Sequence, residues 1–306
     1  MWSRRGLIAG GLALGLAGCS DKVNKVIGFA ERMVEITRRH GGKIGVSMLS
    51  GDGDAKSALS IESDQRFALC STFKWVLATA ILQQVDLDRL RLDQAVKFSQ
   101  ADLLDHAPVT RAHAAAGHMT VAELCAAAVE QSDNTAANLL LSLIGGPAGL
   151  TGFVRGLGDS VTRFDRTEPL LNSNAAGDER DTTTPAAMSA LLQKVFTTSV
   201  LKSDSLDRLK AWMIACATGA RRIRASVPAG WVAGDKTGTG DNGAVNDVAV
   251  IWPPDKPPLF LSIYTSGGTL DAAGREQVIA DTAKLVFDTL DFAENLDAEA
   301  SSSASS

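Results

Sequence analysis

Between Asp21 and His40 the apolar residues fall at Val23, Val26, Ile27, Ala30, Met33 and Val34, three or four positions apart, and Gly41-Gly42 follows. That spacing predicts an amphipathic helix with a glycine stop. Lys43–Ser50 and Lys56–Ile61 read as strands, joined by the turn Gly51-Asp52-Gly53-Asp54, whose residues tolerate positive φ. From about Phe67 to Cys216 the chain is rich in Ala and Leu, with helical periods over Thr72–Val85, Val121–Glu130, Thr135–Ile144 and Pro185–Val195. Strand patterns return after Pro228, at Trp231–Lys236, Val245–Trp252 and Leu259–Thr265, and a final helix is expected from about Asp271 to Phe292. The order α-β-β, helices, then β-β-β-α predicts an α/β two-lobe (α+β) fold. In it, residues 19–66 and 217–295 share one antiparallel sheet flanked by helices. Residues 67–216 form an all-helical middle lobe, and the site lies between the lobes. The Ser/Ala tail over 296–306 is expected to be disordered.

Ahead of this pattern, Arg4 and Arg5 precede an apolar run from Leu7 to Ala17. This is the layout of an export signal over residues 1–18, and the run is too short for a stable anchor. Leu16-Ala17-Gly18-Cys19 resembles a bacterial lipobox, which would make Cys19 the lipidated first residue of an exported, periplasmic chain. Ser3-Arg4-Arg5 also loosely resembles a twin-arginine signal. Membrane association is then expected only through that lipid. The 306 residues are 45% hydrophobic and 21% charged, ordinary values for a soluble protein. With 30 basic against 35 acidic residues, there is no cationic surplus to neutralise phosphates, which argues against nucleic acid as a partner. A small-molecule or protein ligand and a monomeric chain are the expectation. If Cys19 carries lipid, Cys70, Cys125 and Cys216 allow at most one disulfide, and the sequence does not name the pair. His40, His106, His113 and His118 lack zinc-type spacing, so neither a metal nor a cofactor is expected.

Cys70-Ser71-Thr72-Phe73-Lys74 opens an apolar helical run and places an amine three residues from a hydroxyl on one helix face. Serine becomes a nucleophile when a base takes its proton, and a lysine with a depressed pKa can do so. The spacing alone is weak evidence, since Ser199-Val200-Leu201-Lys202 repeats it and reads as a surface-helix accident. Its company carries more weight: Ser132-Asp133-Asn134 falls in a break between helices, and Lys236-Thr237-Gly238 ends a strand. Gly238-Thr239-Gly240-Asp241-Asn242-Gly243 satisfies a dinucleotide fingerprint, but a strand rather than a helix follows it, so that match is accidental.

The three motifs in this order resemble the active-site set of class A serine β-lactamases and penicillin-binding proteins. Arg166-Thr167-Glu168-Pro169-Leu170-Leu171-Asn172 is similar to the class A loop that supplies a catalytic glutamate and asparagine. The resemblance implies an enzyme that hydrolyses the β-lactam amide of penicillins and cephalosporins through an acyl-serine, conferring resistance. Ser71 would attack, with the oxyanion held by the backbone N–H groups of Ser71 and Thr239. Lys74, or Glu168 through a water, would take the Ser71 proton; Ser132 would protonate the ring nitrogen; Glu168 with Asn172 would activate the deacylating water. Lys236, Thr237, Gly238 and Thr239 would bind the substrate carboxylate, Asn134 its amide side chain, and His106 would sit on the rim. The usual strand arginine is replaced by Val245, so Arg222, or less favourably Arg275, would supply the guanidinium. Lys236 would depress the Lys74 pKa by like charge, and Arg166 would pair with Asp181 at the neck of the glutamate loop. Trp75 and Trp231 read as packing residues, and Cys70 as a buried, inert thiol that Gly240 cannot staple. Thr239 and Asp241 resemble positions that accompany good cephalosporin turnover. The alternatives are a D-alanyl-D-alanine carboxypeptidase or transpeptidase, and a non-hydrolytic β-lactam sensor.

Overall fold

The computed structural model describes residues 19–53 and 58–303, with side chains between 28 and 290. The expected signal over residues 1–18, the Cys19 side chain, and Lys56 at the start of the second expected strand lie outside the described set. Helix α1 (Cys19–His40) precedes β1 (Gly42–Ser50), β2 (Leu59–Ile61) and β3 (Phe67–Ala68). There follow α2 (Phe73–Asp86), β4 (Ala95–Lys97), α3 (Pro108–Ala112), β5 (His118–Thr120), α4 (Val121–Glu130), α5 (Asn134–Leu143) and α6 (Gly146–Gly156). A long loop leads to β6 (Thr182–Thr183), α7 (Pro185–Thr197) and α8 (Ser203–Ile214), and then to β7 (Val232–Thr239), β8 (Val245–Trp252), β9 (Leu259–Gly267) and α9 (Ala272–Ser303). Local chemistry marks several boundaries. Thr120 and Glu123 close a capping box on α4, Asp133 caps α5, and Thr184 caps α7 with Pro185 in its first turn.

The main sheet runs β2-β1-β9-β8-β7, with every pair antiparallel. The two chain segments are joined by β1 and β9, which pair from Gly42↔Gly267 to Ser50↔Leu259. The apolar run in β8 has a simple cause, because a sheet covered on both faces needs apolar residues in both phases of the strand. Val248 and Val250 enter the core shared with α2, α4, α5 and α7. Ala249 and Ile251 enter the other, against Met33 of α1 and Val286 of α9.

Three expectations need correction. The middle segment is not all-helical, since β3 pairs with β6 and β4 with β5; ladders of two or three residues are too short to leave a period-two pattern. Helix α7 lies in the middle segment but packs on the sheet, where Ser189 Oγ donates to Ser47 O at 2.8 Å and to Ser262 Oγ at 2.9 Å. Helix α9 continues to Ser303, so the tail expected to be disordered is helical over 296–303, where Ala favours the helix and no Gly or Pro stops it. Helices α6 and α8 were not anticipated.

A Cβ on Gly45 would stand 2.5 Å from the Phe67 ring and 2.8 Å from Pro185 Cγ. Gly45→Ala should therefore push β3 and the start of α7 off the sheet and cost about 1–3 kcal/mol. Urea unfolding should show a lower midpoint with an unchanged slope; an unshifted midpoint would show that the layers separate freely there.

Candidate active site

Every residue of α2 from Phe73 to Leu82 is buried, so a polar group on this helix must find partners inside the protein. Lys74 is fully buried, and Ser71 sits in the 3-10 turn Cys70–Thr72 that leads into the helix. Cys70 enters that turn at φ +46°, and Ser132 sits at φ +58° in the break between α4 and α5. Both are left-handed positions that side-chain-bearing residues seldom adopt. Asp133 fixes the second break. Its carboxylate accepts from Ala136 N at 2.9 Å and, across the lobe, from Val109 N at 3.0 Å and Thr110 N at 2.9 Å. With Asp133 so engaged, Ser132 and Asn134 turn toward Lys74.

Lys74 Nζ donates to Ser71 Oγ at 2.9 Å, Ser132 O at 2.7 Å, Ser132 Oγ at 3.3 Å and Asn134 Oδ1 at 2.5 Å. It also lies 3.0 Å from Glu168 Oε1. Burial pulls the Lys74 pKa below its ordinary value, and the Glu168 carboxylate opposes that shift. The leading cause is thus desolvation rather than the like charge of Lys236.

Glu168 is buried, and its Oε1 accepts from Ser71 Oγ at 3.3 Å. Asn172 Nδ2 donates to its Oε2 at 2.5 Å. The glutamate backbone is clamped by Asn138, whose Nδ2 donates to Glu168 O at 2.9 Å while its Oδ1 accepts from Glu168 N at 3.0 Å. At the neck of the loop, Arg166 Nε reaches Asp181 Oδ2 at 2.5 Å, and Asp181 Oδ1 accepts from Asp165 N and Arg166 N.

The opposite wall comes from β7. Lys236 Nζ donates to Ser132 Oγ at 3.1 Å and to Thr237 O at 3.0 Å. Burial, with Lys74 nearby, lowers its pKa to about 8. Val245, opposite Thr239, is buried in the apolar core. The guanidinium comes instead from Arg222, whose Nη1 donates to Gly238 O at 2.9 Å and Asn246 O at 2.8 Å, and whose Nη2 donates to Thr239 Oγ1 at 2.8 Å. Ser71, His106, Ser132, Asn134, Asn172, Arg222, Thr237 and Thr239 line one cleft of about 460 Å³. Glu276 rather than Arg275 reaches it. A Cβ on Gly240 would meet Cys70 Sγ at 2.7 Å and Asn172 O at 2.5 Å. Cys70, Cys125 and Cys216 are all free and buried, and burial pushes the Cys70 thiol up to about 12, so it is not a competing nucleophile.

A model of the Beta-lactamase enzyme family matches residues 28–290. The chain is 43% identical over 263 residues to a beta-lactamase of Mycobacterium tuberculosis, covering 84% of each protein. It is 41% identical over 260 residues to Beta-lactamase OXY-2 of Klebsiella oxytoca, covering 85% of this chain and 89% of that one. The solved class A beta-lactamase of the last common ancestor of Gram-negative bacteria superposes with a TM-score of 0.82 at 49% identity, over 85% of this chain and 98% of that one. The chain belongs to the class A β-lactamases. It is thus an enzyme of the family that hydrolyses β-lactams.

In this class A β-lactamase every expected site residue from the three motifs and the glutamate loop lies in or against the cleft. Sequence reasoning missed Asn138, although its place four residues after Asn134 puts both on one face of α5. It also missed Thr218, which shares a 2.5 Å hydroxyl contact with Thr237. Asp235 and Asp247 beneath the strand were missed as well. Asp235 pairs with Arg224, and Asp247 accepts from Ile223 N at 3.0 Å, with a carboxyl raised well above its usual range by burial.

With its pKa lowered to about 8 by burial and by Lys74, Lys236 should lose its charge as pH rises through that value. The enzyme should therefore lose kcat/KM for an anionic β-lactam as pH rises through that value, mainly through KM, because the free enzyme's titration is read there. Lys236→Arg should remove this limb, since guanidinium keeps its proton. A flat wild-type profile to pH 10 would overturn the assignment.

Proposed function

We propose that this class A β-lactamase opens penicillins and cephalosporins through an acyl-Ser71 intermediate, working in the periplasm and tethered by a lipid on Cys19. The observation that carries the chemistry is the placing of Ser71 Oγ, 2.9 Å from Lys74 Nζ and 3.3 Å from a Glu168 carboxylate that Asn172 also holds. Ser71 Oγ attacks the lactam carbonyl carbon, and its proton passes into the Lys74–Glu168 pair. The developing oxyanion is taken by the Ser71 and Thr239 backbone N–H groups, donors of a kind typically worth about 3–4 kcal/mol each. As the C–N bond breaks, the ring nitrogen receives a proton from Ser132 Oγ, which recovers the proton taken from Ser71 through Lys74 Nζ, 3.3 Å away, so that Glu168 is again free as a base; Lys236 Nζ also lies within hydrogen-bonding distance of Ser132 Oγ. Lys236, Thr237 and Thr239 hold the ring carboxylate, with Arg222 behind Thr239 adding charge and orienting its hydroxyl, and Asn134 takes the side-chain amide. His106 stands at the rim, its Nε2 3.1 Å from Gln131 O. In the second step Glu168 takes a proton from water positioned with Asn172, the hydroxide adds to the ester carbon, and Ser71 leaves with its proton restored.

Glu168→Gln keeps the shape of the loop but removes the base. Intact-mass spectra after mixing with a chromogenic cephalosporin should show the substrate's mass retained on Ser71, with turnover lowered by on the order of 100-fold or more. An adduct accumulating on the unmutated protein would instead indicate a penicillin-binding protein or a sensor. For the anchor, radioactive palmitate should label the cell-bound protein and not Cys19→Ala, which should appear in the soluble fraction. Equal release of both forms would remove the lipid from the proposal.

A further inference from the structure

The cleft does not end at the group that holds the ring carboxylate. Beyond Arg222 it is walled by Arg221 and Glu276. The Arg221 side chain is 81% exposed, yet its Nε donates to Glu276 Oε2 at 2.6 Å. Glu276 is only 13% exposed and also faces Arg222 Nη2 at 3.4 Å. The two arginines differ in what remains available. Arg222 is buried and engaged by two backbone carbonyls and the Thr239 hydroxyl. Among the described residues Glu276 is the one side chain that Arg221 bonds, through Nε alone, which leaves its outer nitrogens to a ligand in the cleft it lines.

Counting charge at this end gives three cations, Lys236, Arg221 and Arg222, against the single carboxylate of Glu276. The neighbouring groups leave the count unchanged. Lys74 pairs with Glu168 and Arg224 with Asp235, and Asp241 is exposed in the turn after β7 and is not part of the cleft wall. Asp247 is fully buried, and burial raises its carboxyl well above the usual range, which favours the neutral acid. A β-lactam's ring carboxylate cancels one of the two surplus charges, and one cation remains unmatched. In a cephalosporin the ring carboxylate and the neighbouring substituent stand on adjacent carbons. A substituent there stands beside the bound carboxylate, in the cleft that Arg221 also lines.

We infer that Arg221 and Glu276 form a second anion subsite, which favours β-lactams carrying a further acidic group beside the ring carboxylate. Glu276 is its resident occupant. It holds both guanidiniums in place, and an incoming anion shares or displaces it at Arg221. This rests on the proposed placing of the ring carboxylate at Lys236, Thr237 and Thr239, in front of Arg222.

The test uses two cephalosporins with the same acyl side chain, one with a neutral and one with a carboxylate-bearing substituent beside the ring carboxylate, and reads the ratio of their KM values, acidic over neutral. An exposed ion pair is worth a factor of about 1.5 to five, so Arg221→Ala should raise that ratio about 1.5- to fivefold. Glu276→Gln keeps the hydrogen-bonding shape and removes the resident charge, and should lower the ratio. Raising the salt should increase the ratio in the unmutated enzyme and leave it flat in Arg221→Ala. A ratio that stays at the unmutated value in Arg221→Ala, or that rises in Glu276→Gln, overturns the subsite. If the unmutated protein fails to turn over the neutral cephalosporin, the hydrolytic reading has failed rather than the subsite.

Discussion

The buried ammonium of Lys74 is the constraint that the centre of the molecule answers to. An ionised amine taken wholly out of water is tolerated only when paired and hydrogen-bonded. Lys74 meets that requirement with Ser71, Ser132, Asn134 and Glu168 together. The partners come from three pieces of chain: the nucleophile turn, the α4–α5 break running into α5, and the glutamate loop. Satisfying one charge therefore fixes the relative positions of three segments. Withdrawing one charged member of such a buried pair typically costs about 3–5 kcal/mol, which gives the site a structural weight of its own.

The strongest supports of this cluster face away from it. Asp133 stands in the middle of a functional motif, yet its carboxylate serves the α5 cap and the backbone of Val109 and Thr110. Asn138 holds Glu168 by its backbone, and Asp181 holds the loop neck. The glutamate thus reaches Ser71 on an irregular segment that is pinned at both scales, which is how a loop residue can be placed accurately enough for proton transfer. The second wall follows the same logic. Arg222 stands in for a strand cation because Val245, in the phase of β8 that points into the α1/α9 core, is apolar.

Motif residues and helix periods were legible in the sequence because their signals are local. The α4 and β8 boundaries coincide with the apolar pattern, and S-x-x-K, S-D-N and K-T-G keep their order along the chain. Short ladders such as β3–β6 left no pattern, because two residues cannot show a period. Helix α7 was assigned to the wrong layer because periodicity reports that a face is buried and not what buries it. The cause of the Lys74 shift was also misjudged. Like charge from Lys236 could be guessed from motif chemistry, whereas full desolvation depends on how completely α2 is enclosed.

By itself, then, the sequence determined which groups were present: a serine with an amine on the same helix face, a second serine, a glutamate–asparagine loop, and a strand ending in a lysine. Only the tertiary structure decided that the Glu168 carboxylate comes to Ser71 Oγ, that Asn138 and Asp133 are the supports, and that Arg222 rather than Arg275 completes the cationic wall. The reason is physical. Spacing within one element is set by helix and strand geometry, while contacts among Ser71, Ser132, Glu168 and Lys236 are set by how separate elements pack around a charge removed from water.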